Sequence, residues 1–477
     1  MEFDIAIFGG GVVGCNIFSL LTRVGKKAVL IEKENDVSLG CSKANSGIVH
    51  AGYDCEENSL KARLNVRGCF LMENLCKELS VPYTKCGSFV VGNDLEKLET
   101  LYNRGIKNGV KNLEIIKDNL ISFIPNINNN IKYALYAKDA GIVNPYMLTI
   151  ALAEDGVLNG GKIEFNFSAD KIYKENNLFI ISNGSKTIKA KYIINASGYG
   201  YNEIANLLGS ENYNLSFRRG EYFVLDKGTG FVNAPIFPLP TDKGKGILAT
   251  PTNSGNILFG PTADDDEVYC AKTTSAGLSQ IKSQITNTFN NIPFNKIIRQ
   301  FSGVRVSAGK DFIIEKSKKV ENVINICGIN SPGLTSAPAI AEYVLSLLDI
   351  ENRQKENIVK RIPYRIKEDD RANLIKKDSR YGKIICRCEV VSEMEIINAI
   401  NSPLKPKTLD GIKRRVRCGM GRCQGGFCTN KIIELIAKEN GLQLEDIEKE
   451  FKASNLMIAD IKSTEFYENN EFRGKNE

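Results

Sequence analysis

Phe3-Asp4-Ile5-Ala6-Ile7-Phe8-Gly9-Gly10-Gly11-Val12-Val13-Gly14 decides the fold of the first part of this chain. The apolar run through Phe8 reads as a buried strand. A glycine-rich turn follows, then a helix from about Val12 to Val24 and a second strand at Ala28-Val29-Leu30-Ile31-Glu32. That order opens a βαβ unit. Gly9, Gly11 and Gly14 fit G-x-G-x-x-G, in which two glycines let the backbone turn and approach a pyrophosphate. The third lets the helix lie close on the strand, and the helix N-terminus faces the negative charge. Glu32, 18 residues after Gly14, ends the second strand where a carboxylate can hydrogen-bond a ribose hydroxyl. A glutamate there argues against a 2′-phosphate, which calls for an arginine. The expectation is a dinucleotide site on an α/β Rossmann-like domain.

Further along, strands are expected at Gly87–Val91, in several pieces between 163 and 196, from 215 to 260, and at Val323–Cys327. Helices are expected near Leu95–Asn108, Ser275–Phe289 and Ala337–Leu348. Residues 351–383 are densely charged and read as a linker. Beyond them Ser392-Glu393-Met394-Glu395 matches a capping box that starts a helix to about Asn401. Two more helices are expected, from Thr408 to about Arg417 and from Thr429 to just before Gly441. The tail after Ser463 is polar and expected to fray.

At 477 residues the chain is long enough for two or three cores. Hydrophobic content of 42% and charged content of 25% are those of a soluble globular protein. No apolar run reaches the roughly 18 residues of a membrane span. The strand at Phe3 leaves no room for a signal peptide. Thirteen cysteines, an odd count in a large chain without a leader, fit a reducing cytoplasm better than a disulfide framework. The expected location is therefore cytoplasmic. A net charge of +7 permits an anionic substrate or an acidic partner and does not demand nucleic acid.

The second cluster of chemistry lies near the end: Cys386-Arg387-Cys388, then Cys418-Gly419-Met420-Gly421-Arg422-Cys423-Gln424-Gly425-Gly426-Phe427-Cys428. Five thiols fall within 43 positions of a chain that has a single histidine. Four thiolates so gathered suit a [2Fe–2S] cluster or a structural zinc, although zinc prefers C-x-x-C pairs. Cys418 to Cys423 and Cys423 to Cys428 have the same spacing, so spacing alone does not choose four from five.

Three separated motifs, in the right order, resemble the D-amino-acid-oxidase-like flavoprotein superfamily. They are Gly40-Cys41-Ser42-Lys43-Ala44-Asn45-Ser46-Gly47-Ile48-Val49-His50-Ala51-Gly52, Ile194-Asn195-Ala196-Ser197-Gly198 and Gly328-Ile329-Asn330-Ser331-Pro332-Gly333-Leu334-Thr335. The first is most similar to the subgroup of anaerobic-type glycerol-3-phosphate dehydrogenases and L-2-hydroxyglutarate dehydrogenases. The resemblance spans about 1–350. It implies an FAD-binding domain (about 1–80, 141–210 and 301–350) interleaved with an α+β substrate domain (about 81–140 and 211–300). It assigns FAD contacts to Gly9, Gly11, Val13, Gly14, Glu32 and Lys33, to Ser42, Asn45, Ser46 and Gly47, and to Ala196, Gly198, Gly333, Leu334 and Thr335.

Imidazole is the side chain best suited to take a proton near neutrality. The resemblance makes His50 the base that accepts the substrate hydroxyl proton; a loop histidine that merely hydrogen-bonds backbone or flavin is the alternative. It places Arg305, whose planar guanidinium grips carboxylate or phosphate, on the substrate anion, with Ser331 nearby; a surface or interdomain ion pair is the alternative for Arg305. Arg218, Arg219 and Glu221 also fit the subgroup without a defined role. Lys243 and Lys245, around Gly244, are loop lysines able to meet a phosphate.

Residues 384–436 resemble the bacterioferritin-associated-ferredoxin-like [2Fe–2S] domain, which extends to about 441 as a small helical domain before an extension over 442–477. The resemblance favours Cys386, Cys388, Cys423 and Cys428 as ligands and leaves Cys418 spare. Lys413, Arg414, Arg415 and Arg417 either offset the cluster charge, dock an acidic partner, or form a solvated helix face. Together these readings imply an FAD-dependent dehydrogenase of a small anionic 2-hydroxy compound, foremost glycerol 3-phosphate. Electrons would leave through the cluster to a second flavoprotein or an electron carrier. The alternatives are an L-2-hydroxyglutarate-type dehydrogenase, an amine or imino-acid dehydrogenase, and a redox relay subunit without its own substrate.

Overall fold

The computed structural model describes residues 2–240 and 246–457; Lys243, Gly244, Lys245 and the tail after Ser463 lie outside the described residues. The chain divides into two compact units, 1–362 and the remainder from Pro363.

The first unit holds two large sheets. Its opening follows the sequence closely: β1 (Glu2–Phe8), α1 (Val12–Arg23) and β2 (Ala28–Ile31), then a long helix α2 (Leu60–Glu78). Later elements used below are β3 (Thr187–Asn195), β4 (Ser216–Leu225), β5 (Ile297–Ser307), β6 (Val323–Cys327) and α3 (Gly333–Leu347). In the first sheet β1 lies between β2 and β3, all parallel, and β6 runs parallel to β3 on its other side. Lys162–Glu164 extends the sheet beyond β2, also parallel. Parallel strands need both faces covered, and β1 and β2 accordingly read as continuous apolar runs, buried from Ile5 to Phe8 and from Ala28 to Ile31.

α1 crosses to the helix Pro145–Leu158, where Phe18 is fully buried against Gly156 and Gly161. A Cβ at either glycine would fall within 2.5 Å of the Phe18 ring. Phe18→Ala would leave a cavity costing about 3–5 kcal/mol. At the end of α1, Arg23 grips Asp155 with two hydrogen bonds of 2.7 Å and reaches Glu78 with a third of 2.7 Å. Removing one partner would strand a buried charge at about 3–5 kcal/mol.

The second sheet is nine-stranded and mostly antiparallel. Its spine is the pairing of β4 with β5, in register at Arg218↔Arg305 and Tyr222↔Phe301. Phe223, Leu225, Phe259, Ile281 and Phe289 fill the core behind it. Two extended stretches, Ser88–Gly92 and Ile236–Pro238, pair parallel within this otherwise antiparallel sheet.

The second unit is small and helical. A hairpin of Ile384–Cys386 with Val391–Ser392 leads into α4 (Glu393–Ile400), α5 (Leu409–Val416) and α6 (Thr429–Asn440). The capping box on α4 is formed: Ser392 N–H donates to Glu395 at 2.9 Å and Glu395 N–H returns to the Ser392 hydroxyl. Thr408 caps α5 through Gly411 N–H, and Gly441, at φ 64°, ends α6. Ile396, Ile400, Ile412, Val416, Ile432 and Ile436 form the core.

The stretch 351–383, expected as a linker, carries structure of its own. Arg361 is buried on Glu154 at 2.5 Å, and Glu368–Lys377 is a helix with three acids in its first turn and two lysines in its last. Those charges complement the helix dipole, which explains a helix with so few apolar residues. The basic run on α5 is also not a solvated face. Arg414 and Arg415 are buried, Arg414 pairs with Glu450 at 2.6 Å, and Arg417 pairs with Glu389 at 2.8 Å. Among the described residues no helix is long and apolar enough to cross a membrane.

Candidate active site and cysteine centre

Phe8, Ile31 and Asn195 are register partners at the carboxyl ends of β1, β2 and β3. The residues that follow them, Gly9, Glu32 and Ala196, therefore share one edge of the sheet, where ligands of open parallel sheets bind. Gly9 sits at φ +106°, and a Cβ there would lie 2.5 Å from the Ala196 carbonyl. At Gly14 it would lie 2.0 Å from the Gly9 carbonyl. Only glycine fits either place. The Glu32 carboxylate accepts N–H bonds from Gly10 at 2.5 Å and Glu34 at 3.0 Å. Burial nevertheless pushes its carboxyl above the usual range, with those two bonds opposing. Val12 N–H, in the first turn of α1, donates to Ser42 Oγ at 2.8 Å.

A cavity of about 310 Å³ opens along this edge. Gly9, Gly11, Val13, Glu32 and Lys33 line it, as do Ser42, Asn45, Ser46, Ala196, Gly198, Gly333 and Leu334. In one part Lys33 Nζ sits 4.6 Å over the Tyr199 ring, which stacks on Tyr269. His50, Arg305 and Ser331 line the same cavity. Three expected contact residues stand behind its wall. Gly14 serves α1 packing, and Gly47, at φ +70°, meets the Val143 carbonyl. Thr335 accepts the His50 backbone N–H on its Oγ1 at 3.0 Å. The His50 carbonyl is held by Asn65 Nδ2 at 2.6 Å and its ring lies 5.7 Å from that of Phe237. The backbone of His50 is thus pinned from α2 and α3 at once.

Tyr222 is the residue the sequence did not single out. It is buried, lines the cavity, stacks on Phe301 at 4.7 Å, and its hydroxyl stands beside the side chains of Arg305 and Ser46, which act on it electrostatically. Its neighbours in the stretch have other duties. Glu221 is buried and accepts the Thr274 N–H and hydroxyl at 2.7 and 2.8 Å, while Arg218 pairs with Asp265 at 2.6 Å on the surface.

In the second unit the five thiols form two groups. Cys388 and Cys423 are exposed with sulfurs 3.6 Å apart. Cys386, Cys418 and Cys428 are buried together in one core cluster. The Cys418 and Cys428 side chains, with N–H groups of Gly419 and Glu389, hold the Cys386 thiol far below its ordinary range against burial. The Cys423 thiol is also lowered, by N–H bonds from Phe427 and Gly425 and by Cys388. The same contacts and burial raise Cys418 and Cys428. Gly421 has no room for a side chain, since a Cβ would fall 2.2 Å from the Cys388 Cβ. Among the described residues no three such ligands converge on one point for a single ion.

The family model for FAD dependent oxidoreductases matches residues 4–347. The chain belongs to this FAD dependent oxidoreductase family. A second model, the BFD-like [2Fe-2S] binding domain, matches residues 384–438. The oxidoreductase is 42% identical to the glycerol 3-phosphate dehydrogenase of Caloramator mitchellensis over 97% of this chain and 99% of that one. Among solved structures it resembles the FAD-bound L-alpha-glycerophosphate oxidase of Mycoplasma pneumoniae, with a TM-score of 0.71 and 29% identity over 75% of this chain and 97% of that one. The L-2-hydroxyglutarate dehydrogenase of Nematostella vectensis is 32% identical over 55% of this chain and 62% of its own length.

The residues of this oxidoreductase fit both groups. The glycine-rich turn Gly9–Gly11, whose path next to the Ala196 carbonyl leaves no room for a Cβ at Gly9, lines the cavity where a pyrophosphate would lie, and the cavity continues to His50 and Arg305. The four-or-five-thiol set, with backbone N–H groups aimed at two of the sulfurs, has the donor chemistry of an iron–sulfur centre. FAD is the cofactor of the first unit and a [2Fe–2S] cluster that of the second.

Proposed function

We propose that this FAD-dependent dehydrogenase oxidises glycerol 3-phosphate to dihydroxyacetone phosphate and delivers the electrons through its [2Fe–2S] centre to a partner protein. The observation that carries this reading is the match to the Caloramator dehydrogenase along nearly the whole of both chains. The L-2-hydroxyglutarate alternative is supported by a shorter match.

In this reading Gly9, Gly11, Val13, Glu32, Lys33, Ser42 and Asn45 hold FAD, with Ala196, Gly198, Gly333 and Leu334, while Gly14, Gly47 and Thr335 shape the walls. FAD supplies the hydride acceptor. His50 takes the proton from the substrate hydroxyl at its imidazole, from a position that the bonds to Thr335 and Asn65 keep fixed. Arg305 meets the phosphate through a two-pronged guanidinium contact, with Ser331 beside it. Tyr222, stacked on Phe301, sets its hydroxyl beside Arg305 and positions that side chain. Cys386, Cys388, Cys423 and Cys428 hold the cluster, which supplies one-electron transfer.

The test is anaerobic titration of the holoenzyme with glycerol 3-phosphate, L-2-hydroxyglutarate and proline in parallel, following flavin absorbance. Bleaching by glycerol 3-phosphate at the lowest concentration is the expected result. Bleaching by one of the other two in preference overturns it.

A further inference from the structure

The exposed charged residues next in sequence to the outward thiols are of one sign. The only charged residues in segments 386–390 and 418–430 are Arg387, Glu389 and Arg422. Glu389 is buried and bound to Arg417, whereas Arg387 and Arg422 are exposed, each next in sequence to an exposed ligand candidate, Cys388 or Cys423. Arg387 also has an apolar contact. Phe427 is 56% exposed with the Arg387 guanidinium 4.3 Å over its ring, and Val390 is 46% exposed.

From this we infer that the Cys388/Cys423 edge of the second unit is a docking face for a small acidic one-electron carrier protein, with Arg387 and Arg422 as its charged rim and Phe427 as its centre. The inference rests on the proposed function, because electrons must arrive at the cluster before they leave it. Each alcohol oxidised to a ketone releases two electrons and two protons. Two oxidised carriers each take one electron in successive visits, and the protons pass to solvent. Unlike-charge encounter speeds such visits and orients them. An aromatic carrying an arginine on one face and solvent on the other is the kind of anchor that dominates small interfaces. The patch is small, as in the weak, short-lived contacts of redox carriers, where release must follow each electron.

The experiment is isothermal titration of the anaerobic holoenzyme with plant-type [2Fe–2S] ferredoxin as the acidic probe and cytochrome c as the basic one, at low and high salt. Ferredoxin should bind and cytochrome c should not, with binding fading as salt rises. The double variant Arg387→Glu/Arg422→Glu should weaken ferredoxin binding by about tenfold or more at low salt, by analogy with buried-edge charge pairs at interfaces. Arg387→Lys/Arg422→Lys should retain most of it, and Lys438→Glu, exposed on α6, should change it little. Iron content and the EPR signal of the reduced cluster show that each variant is loaded. If the double reversal unloads the cluster, Phe427→Ser carries the test with the same expectation. Binding unchanged by the reversal, equal loss with Lys438→Glu, or preference for cytochrome c overturns the inference. Flavin bleaching by glycerol 3-phosphate, followed in the same samples, separates this failure from failure of the proposed function.

Discussion

Cys428 and Cys418 share one buried cluster with Cys386, yet they occupy opposite ends of helix dipoles. Cys428 is the residue from which α6 starts, and Cys418 comes just after Arg417, which ends α5 at φ 68°. A helix start carries positive partial charge and stabilises a thiolate, while a helix end does the reverse. On this ground Cys428 is the expected fourth ligand beside Cys386, Cys388 and Cys423. Cys418→Ser should keep the full complement of iron and acid-labile sulfide, and Cys428→Ser should lose most of both. The opposite pattern in iron assays would exchange the two assignments.

Replacing His50 tests the proton transfer directly. His50→Ala should lower the rate of flavin reduction by glycerol 3-phosphate about 10²- to 10⁴-fold, the range for a general base. The fold should survive, because the bonds from the backbone N–H and carbonyl of residue 50 do not depend on its side chain. FAD content by absorbance and stopped-flow reduction measured on one preparation check both statements. An amine donor would lose hydride without an alcohol base, so a variant that keeps its reduction rate would point to that chemistry.

What could be seen in the sequence was local. The strand–turn–helix at Phe3–Gly14, the capping box at Ser392–Glu395 and the stop at Gly441 each depend on residues within a turn or two, and each appears where expected. The role of Tyr222 depends on β4 lying in register with β5, so that Phe301 comes beneath its ring; nothing local marks it. Arg361 belongs to the first unit because of Glu154, 207 residues earlier, which composition alone turned into a linker. The solvated-face alternative for the α5 basic run falls for the same reason. Its acids, Glu389 and Glu450, lie in other segments and draw Arg417 and Arg414 inward.

Tyr222 should matter through Arg305 and not through chemistry of its own. Tyr222→Phe keeps the stacking on Phe301 and removes only the hydroxyl beside Arg305 and Ser46. A hydrogen bond to a charged group contributes about 1.5–3 kcal/mol, so KM for glycerol 3-phosphate should rise roughly tenfold or more while kcat changes little. Arg305→Ala should raise KM further. Steady-state kinetics with a one-electron dye acceptor give the split, and a fall in kcat at unchanged KM would move Tyr222 from positioning to chemistry.

Acid sensitivity of the first unit should trace in part to Glu211. Its carboxylate accepts from Ser210 and Ser317 hydroxyls at 2.8 Å, from Lys318 N–H at 2.7 Å and from Asn325 Nδ2 at 2.7 Å. Burial works against the charge, but these donors prevail and hold its pKa at about 2 against an ordinary 4.5. A carboxyl lowered on folding contributes stability above its unfolded value and loses it as pH falls through the folded one. The contribution should therefore be complete above about pH 4.5 and fade toward pH 2. Glu211→Gln should lower Tm at neutral pH, and the gap to wild type should narrow across that window in thermal melts followed by circular dichroism. A gap that stays constant from pH 6 down to pH 3 would mean that packing, and not the charge, is what the glutamate supplies.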